Sequence, residues 1–337
     1  MSTPFNLVSR DAQQALTEFS MAFDQALTVK DATPWATVYG LANTSKAIRT
    51  TYPIPVSAAG YKECKGDDKL RDLFEKSLSM TTKKWYDGVA ALASVIEAPD
   101  FIGWGTEPQR IAKERTRLPN KLVAAMLHAN PLLDLYKVEL PGGTVASTVH
   151  LFDDAHPVNV VDDSFGTFDN NHAVTLHTAA LNADISAWVS VVKTRFAAKK
   201  GPNGELMGLQ FNTLFVPPAL AEVFKSFFES DTLVITVANA AGTENVGGVP
   251  TNNRHKGTVN LVVLDELIDT NMVYPFDANA GIPAWIVQDA GSPEEIRFDK
   301  DSDFYKNTYK VGVKYLDEVG VGAALPHAIE RVTVTIA

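Results

Sequence analysis

The run LQFNTLFVPPALAEVFKSFF at residues 209–228 constrains the fold of this chain more than any other segment. Leu214, Phe215 and Val216 form a short unbroken apolar stretch, the pattern of a buried strand. Pro217 and Pro218 end it, and a proline suits the first turn of a helix. Leu220, Val223, Phe224, Phe227 and Phe228 then recur at helical spacing and give a wide apolar face. A strand and a helix joined this tightly need a common core.

Helical and strand patterns alternate irregularly elsewhere. Residues 9–30 read as a helix with Ser9 as N-cap and a stripe of Leu16, Phe19, Phe23 and Leu27. That stripe precedes any obvious core, so its partner is the rest of the chain or a neighbouring subunit. Residues 35–97 carry two extended arms around the charged stretch YKECKGDDKLRDLFEKS, where a short helix is expected. Residues 107–129 form a helix with Ile111, Leu118, Leu122 and Met126 on one face. Pro119 predicts a kink there, or two abutting helices. Residues 136–180 read as strands and turns, and 183–198 as a helix capped by Asn182 or Asp184 with Ile185, Trp188, Val192 and Phe196 inward. Residues 239–257 read as a polar loop, and the charged segment SPEEIRFDKDSDF as a protrusion. In KNTYKVGVKYL, Tyr309, Val311, Val313 and Tyr315 alternate with Lys310, Gly312 and Lys314, as in a half-buried strand. Separate helices mixed with antiparallel strands give an α+β class.

Composition excludes several functions. The 337 residues carry a formal charge of −10, which argues against a surface built to grip phosphate backbones. The lone Cys64 cannot form an intrachain disulfide. No window is long and apolar enough to span a membrane, and MSTPFNLVSR lacks the apolar centre of a signal peptide. The chain starts at Met1 and reads as one from which no propeptide has been removed. No nucleophile-elbow, zinc-protease or phosphate-loop pattern occurs, and Gly242, Gly247 and Gly248 lie in a polar loop without a following helix. His172 and His177 are five residues apart, a poor spacing for metal ligands on one helix or strand. No catalytic residue, cofactor or metal site is expected.

Basic residues gather on the second arm and the following helix: Lys83, Lys84, Arg110, Lys113, Arg115 and Arg117. Helical spacing puts Arg110, Lys113 and Arg117 near one face. They are candidates to meet acids of a neighbour, such as Asp67 and Asp68.

The order of several short segments resembles the major capsid proteins of tailed bacteriophages with the Hong Kong 97 fold, most of all the Mu-like major head subunit group. LPNKL (Leu118–Leu122) sits in the kinked helix, FDDAHP (Phe152–Pro157) follows, then helix 183–198, GPNGELMG, FVPPAL, and DSDFYKNTYKVGVKYL. The resemblance covers roughly residues 70–330. It implies an N-terminal arm over 1–34 and an extended hairpin loop over 35–98. It further implies a peripheral domain over 99–180 and 291–337 with spine helix 107–129, and an axial domain over 181–290. Gly40, Pro53, Pro55 and Gly88 become candidate hinges. Loop 239–257, with Asn252 and Asn253, becomes the candidate axis contact, and loop 291–303, with Arg297 and Asp301, the candidate three-fold contact.

The implied function is a head protein that assembles as pentamers and hexamers into an icosahedral shell around double-stranded DNA, without sequence-specific DNA contacts. Its partners would be copies of itself, a separate scaffolding protein, a portal protein and a decoration protein. Assembly would take place in the host bacterial cytoplasm and the product would be a virion capsid. Some members cross-link through a loop lysine and an asparagine; Lys62, Lys65, Lys69, Lys83 and Lys84 are available, without a supporting motif. The competing readings are a cellular nanocompartment shell of the same fold, or a soluble α+β enzyme or ligand-binding protein with a site at His150, Asp154 and His156.

Overall fold

The computed structural model describes residues 11–28, 34–54, 76–98, 101, 103–133, 138–140, 144–146, 149–159, 163–201, 204–238, 245–281 and 283–337. Its elements begin with α1 (Ala12–Thr28), α2 (Trp35–Tyr39), β1 (Leu41–Thr44), β2 (Arg49–Ile54), β3 (Lys76–Thr81), β4 (Lys83–Leu92), α3 (Ala93–Ile96) and α4 (Glu107–Ala129). Then come β5 (Val138–Leu140), β6 (Thr144–Ala146), β7 (His156–Pro157), β8 (Thr167–Phe168), β9 (Asn171–Leu176), α5 (Leu181–Ala198), β10 (Thr213–Val216) and α6 (Pro218–Glu229). The chain closes with β11 (Thr232–Ala238), β12 (Asn245–Asn252), β13 (Asn260–Val263), β14 (Met272–Phe276), β15 (Trp285–Asp289), β16 (Glu294–Phe298), α7 (Asp303–Thr308), β17 (Lys310–Ala323) and β18 (Arg331–Ile336). The α+β expectation holds.

Two compact units form. The first gathers 1–50, 81–122 and 287–321, and the second 51–80, 123–286 and 322–337. These bounds differ from the sequence division: 123–180 and 322–337, expected with the peripheral part, gather with the expected axial part.

The second unit is built around β10, which is fully buried along its length. Its sheet runs β13-β10-β14-β18-β9, with β10–β13 and β18–β9 parallel and β10–β14 and β14–β18 antiparallel. Leu214 and Val216 join a core with Val189, Val192 and Phe196 of α5 and Phe224 and Phe227 of α6. Phe215, on the opposite face, meets Phe276 at 5.2 Å and Trp285 at 6.1 Å between ring centroids. A strand covered on both faces needs apolar residues at every position, which is why this run does not alternate. Pro218 opens α6 as expected, and Leu220, Phe224, Phe227 and Phe228 are its buried residues. Two expectations fail here. Asn182 and Asp184 do not cap α5: Asn182 donates to Val234 O, and Asp184 pairs with His177. The expected polar loop 239–257 contains strand β12, paired antiparallel with β11.

In the first unit, β17 is the central strand. β4 lies antiparallel to it from Lys310↔Leu92 to Val319↔Lys83, and β16 pairs on it from Glu294↔Leu316 to Phe298↔Gly312. The segment expected to protrude is therefore partly sheet. The strands β4 and β17 approach closely at two glycines. A Cβ on Gly88 would lie 2.4 Å from Val313 O, and one on Gly312 would lie 2.4 Å from Val89 O. Gly88, expected as a hinge, is held in mid-strand by this contact. The inward side chains Val311, Val313 and Tyr315 pack with α1, α3 and α4. Tyr309 departs from the expected alternation. It ends α7 at φ 53°, a left-handed cap, and is 69% exposed.

Helix α1 uses its stripe within its own chain. Leu16, Phe19 and Phe23 are buried, Phe23 stacks on Tyr315 at 3.7 Å, and Phe19 meets Trp104 edge-on at 5.3 Å. Ser20 Oγ donates to Glu295, and Trp104 Nε1 donates to Ala15 O. Leu27 packs half-buried against the same core. Of the two partners open to this stripe, a neighbouring subunit or the rest of the chain, the chain itself covers the apolar area of Leu16, Phe19 and Phe23, which are therefore not free to face a neighbour. Asp11 Oδ1 accepts from Gln13 N at the helix start. Ser9, the expected cap, lies outside the described residues.

Helix α4 runs unbroken through Pro119, so the two-helix alternative is set aside. Pro119 still cannot donate to the Arg115 carbonyl. Its fully buried side is Ile111, Ala112, Val123, Ala124 and Leu127, rotated from the expected stripe. Asn120 Oδ1 accepts from Ala36 N and so anchors the start of α2.

Because α1 belongs to the core of its own unit, Phe23→Ala should destabilise the chain by about 3–5 kcal/mol. Chemical denaturation of the purified protein checks this. An unchanged midpoint would mean that the stripe is not packed within the chain.

Candidate assembly surfaces

The basic residues of β4 and α4 are largely matched within the first unit. Lys84 pairs with Glu318 at 3.3 Å, and Arg110 with Glu107 at 2.8 Å and Asp87 at 3.5 Å. Lys83 and Lys113 are exposed, and Arg117 is half-buried. Asp67 and Asp68, their expected partners, lie outside the described residues. Arg115, which helical spacing sets apart from the face of Arg110, Lys113 and Arg117, makes the central ion pairs here. Its guanidinium holds Asp289 at 2.9 Å and Asp317 at 2.8 Å, tying α4 to the sheet. Burial raises the Asp317 pKa, with Arg115 pulling it back down. Arg297, on the expected three-fold segment, pairs with Glu295 and reaches Thr17, while Asp301 is exposed.

Asn252 and Asn253 separate. Asn252 is exposed at the end of β12. Asn253 is buried and latches its loop: Nδ2 donates to Phe227 O and Ser230 O, and Oδ1 accepts from His255 N. Its role is internal, which removes it from the contact candidates.

The second unit also contains a buried charge cluster that the sequence reading missed. Glu330 is fully buried and receives Arg195 at 2.6 Å and Lys199 at 3.2 Å. Lys199 Nζ also donates to His327 O and lies 4.1 Å from the Phe196 ring centroid. Burial pushes the Lys199 pKa down while Glu330 pulls it up. The only signal in the sequence was a glutamate inside the otherwise apolar stretch HAIERV.

The histidines proposed for an enzymatic site do not converge. His150 Nδ1 lies 2.7 Å from Asn130 O, and Asp154 accepts from Asn171 at 3.0 Å. His156 is buried and meets Leu151 O and Asn170 Oδ1, both at 3.1 Å. It stacks on Phe168, which in turn meets His327 at 4.5 Å. His172 faces Asp169, and His177 faces Asp184, on separate partners. Among the described residues no group of three or more His, Cys, Asp or Glu is arranged to hold a metal ion. No helix among them is long and apolar enough to cross a membrane.

A family model described as phage capsid protein matches residues 141–331, more than half of the chain. The chain belongs to the phage capsid protein family. This is a family of structural shell proteins, not enzymes. No curated protein gives a significant sequence match. Among solved structures, the capsid of cyanophage P-SCSP1u is similar with 9% identity, covering 91% of this chain and 89% of that one, at a TM-score of 0.52. The capsid of a native GTA particle is similar with 11% identity, covering 91% and 92%, at 0.50. The procapsid of bacteriophage JBD30 matches with 16% identity over 97% of this chain and 76% of that one, at 0.49. The fold is that of Hong Kong 97-like capsid proteins.

Two outcomes follow from the buried cluster. Burial lowers the His327 pKa to about 3 and the His156 pKa to about 4. Unfolded histidines titrate near 6.5, so below that pH the unfolded chain binds protons that the folded one refuses. Stability should therefore fall as pH drops from about 6.5 towards those folded values, by up to about 1.4 kcal/mol per pH unit for each histidine. His327→Phe should flatten the slope relative to wild type in urea titrations between these limits. Separately, Lys199→Met leaves Glu330 with one cation fewer and should cost about 3–5 kcal/mol, measured the same way.

Proposed function

We propose that this chain is the major head subunit of a tailed phage, assembling as pentamers and hexamers into an icosahedral shell around double-stranded DNA. The family match over residues 141–331 carries this reading. The net charge of −10 supports it, since an acidic wall does not adhere to packaged DNA. Assembly would take place in the host bacterial cytoplasm, with a separate scaffolding protein and a portal protein as partners. The Mu-like head subunit group is the proposed subgroup, on the order of LPNKL, FDDAHP, FVPPAL and DSDFYKNTYKVGVKYL.

Within that reading, residues 1–34 are the N-terminal arm, 35–98 the extended loop, 99–180 with 291–337 the peripheral domain, and 181–290 the axial domain. Leu27, Lys83, Lys84, Arg110, Lys113, Arg117, Asp67, Asp68, Asn252, Arg297 and Asp301 remain proposed contacts between subunits. Many modest contacts acting together can hold such a shell, because each closed ring makes the next contact intramolecular.

Negative-stain microscopy of the purified protein tests the proposal. Capsomer rings or hollow icosahedral particles are the expected result. A monodisperse monomer of 36.6 kDa at high concentration would overturn it.

A further inference from the structure

We infer that Lys193, Arg254 and His255 form an anion-receiving notch on the second unit, and that a carboxylate of a neighbouring copy occupies it in the shell. The second half rests on the shell reading above. Lys193 lies on α5 and donates to Thr258 Oγ1 at 2.9 Å. Ser186, seven residues earlier on the same helix, places Oγ 3.1 Å from His255 Nε2. Arg254 Nε lies 3.4 Å from the same nitrogen. Two cations, a buried imidazole and two hydroxyls thus converge from one helix and one loop.

The loop is held in shape before any ligand arrives. Asn253 fixes it to the end of α6, Lys256 N donates to Asn253 O, and Thr258 N donates to His255 O. His255 lies beside the Phe227 ring, with centroids 5.9 Å apart. Arg254 remains exposed, so the notch is open.

Its charge is unbalanced. Among the described residues no carboxylate pairs with Lys193 or Arg254, and Asp231, the acid that this loop does meet, is taken by Lys256. Elsewhere Arg110, Arg115, Arg195 and Lys84 each have acids within ion-pair distance. Burial and Arg254 push the Lys193 pKa down; burial, Lys193 and Arg254 do the same to His255. Like charges gathered without a counter-ion cost free energy that an incoming anion recovers. The notch is point-like and suits a single carboxylate or phosphate. A DNA backbone needs a row of cations. A copy with net charge −10 presents carboxylates in excess, so the charge is complementary between copies.

Two measurements test this with the full-length chain. Inorganic phosphate titrated into dispersed subunit should shift the His255 imidazole resonances saturably, and the Lys193→Gln, Arg254→Gln double variant should show no such response. A wild-type chain without a saturable shift overturns the notch. The double variant should keep the wild-type melting temperature, since relief of the repulsion offsets the lost Lys193–Thr258 hydrogen bond, while its threshold concentration for particle formation rises at least ~10-fold, equivalent to about 1.4 kcal/mol per contact. Arg254→Lys should stay near wild type. Assembly of the double variant at the wild-type threshold overturns the neighbour's carboxylate even if phosphate binds. Absence of particles from wild type overturns the shell reading and the neighbour with it, while the phosphate titration still decides the notch.

Discussion

Burial of β10 on both faces is the constraint on which the second unit depends. Leu214 and Val216 require α5 and α6 on one side, and Phe215 requires Phe276 and Trp285 on the other. A four-residue strand cannot gain that cover from local structure. It draws β13 from one direction and β14 from the other, and β14 brings β18 and β9. The Pro-Pro stop sets where the chain leaves the sheet, so α6 begins at once and folds its phenylalanines back onto the same core.

Two clusters of charge are closed on themselves, one in each unit. Glu330 with Arg195 and Lys199, and Arg115 with Asp289 and Asp317, are multi-partner networks in which each ion meets at least one opposite charge. Such networks add little net stability over apolar packing, but losing one member strands the rest. They fix which helix face meets which strand. At Lys193 and Arg254, by contrast, no carboxylate among the described residues closes the charge.

Much of the fold was legible because apolar spacing is a local property. The strand and helix of 209–228, the helix near 183–198 and the inward alternation of Val311, Val313 and Tyr315 all sit where periodicity puts them. The misreadings share one cause: a polar or charged segment says nothing about what it pairs with. The segment around β16 looked like a protruding loop, yet its backbone completes a sheet beside β17. The stretch holding β12 looked like a loop because Gly247, Gly248 and Pro250 are poor strand formers, yet β11 supplies its partner. Gly88 looked like a hinge because glycine is permissive, whereas here its missing side chain admits Val313 O.

The sequence by itself determined the class, the buried strand with its proline stop, the order of segments shared with capsid proteins, and the lack of a catalytic pattern. These depend on residues close together along the chain. Only the tertiary structure decided that α1 turns its stripe into its own chain, that Asn253 is a latch and not a contact, and that Glu330 collects two cations. Each of these rests on partners tens to hundreds of residues away, and side-chain spacing carries no information about such distances.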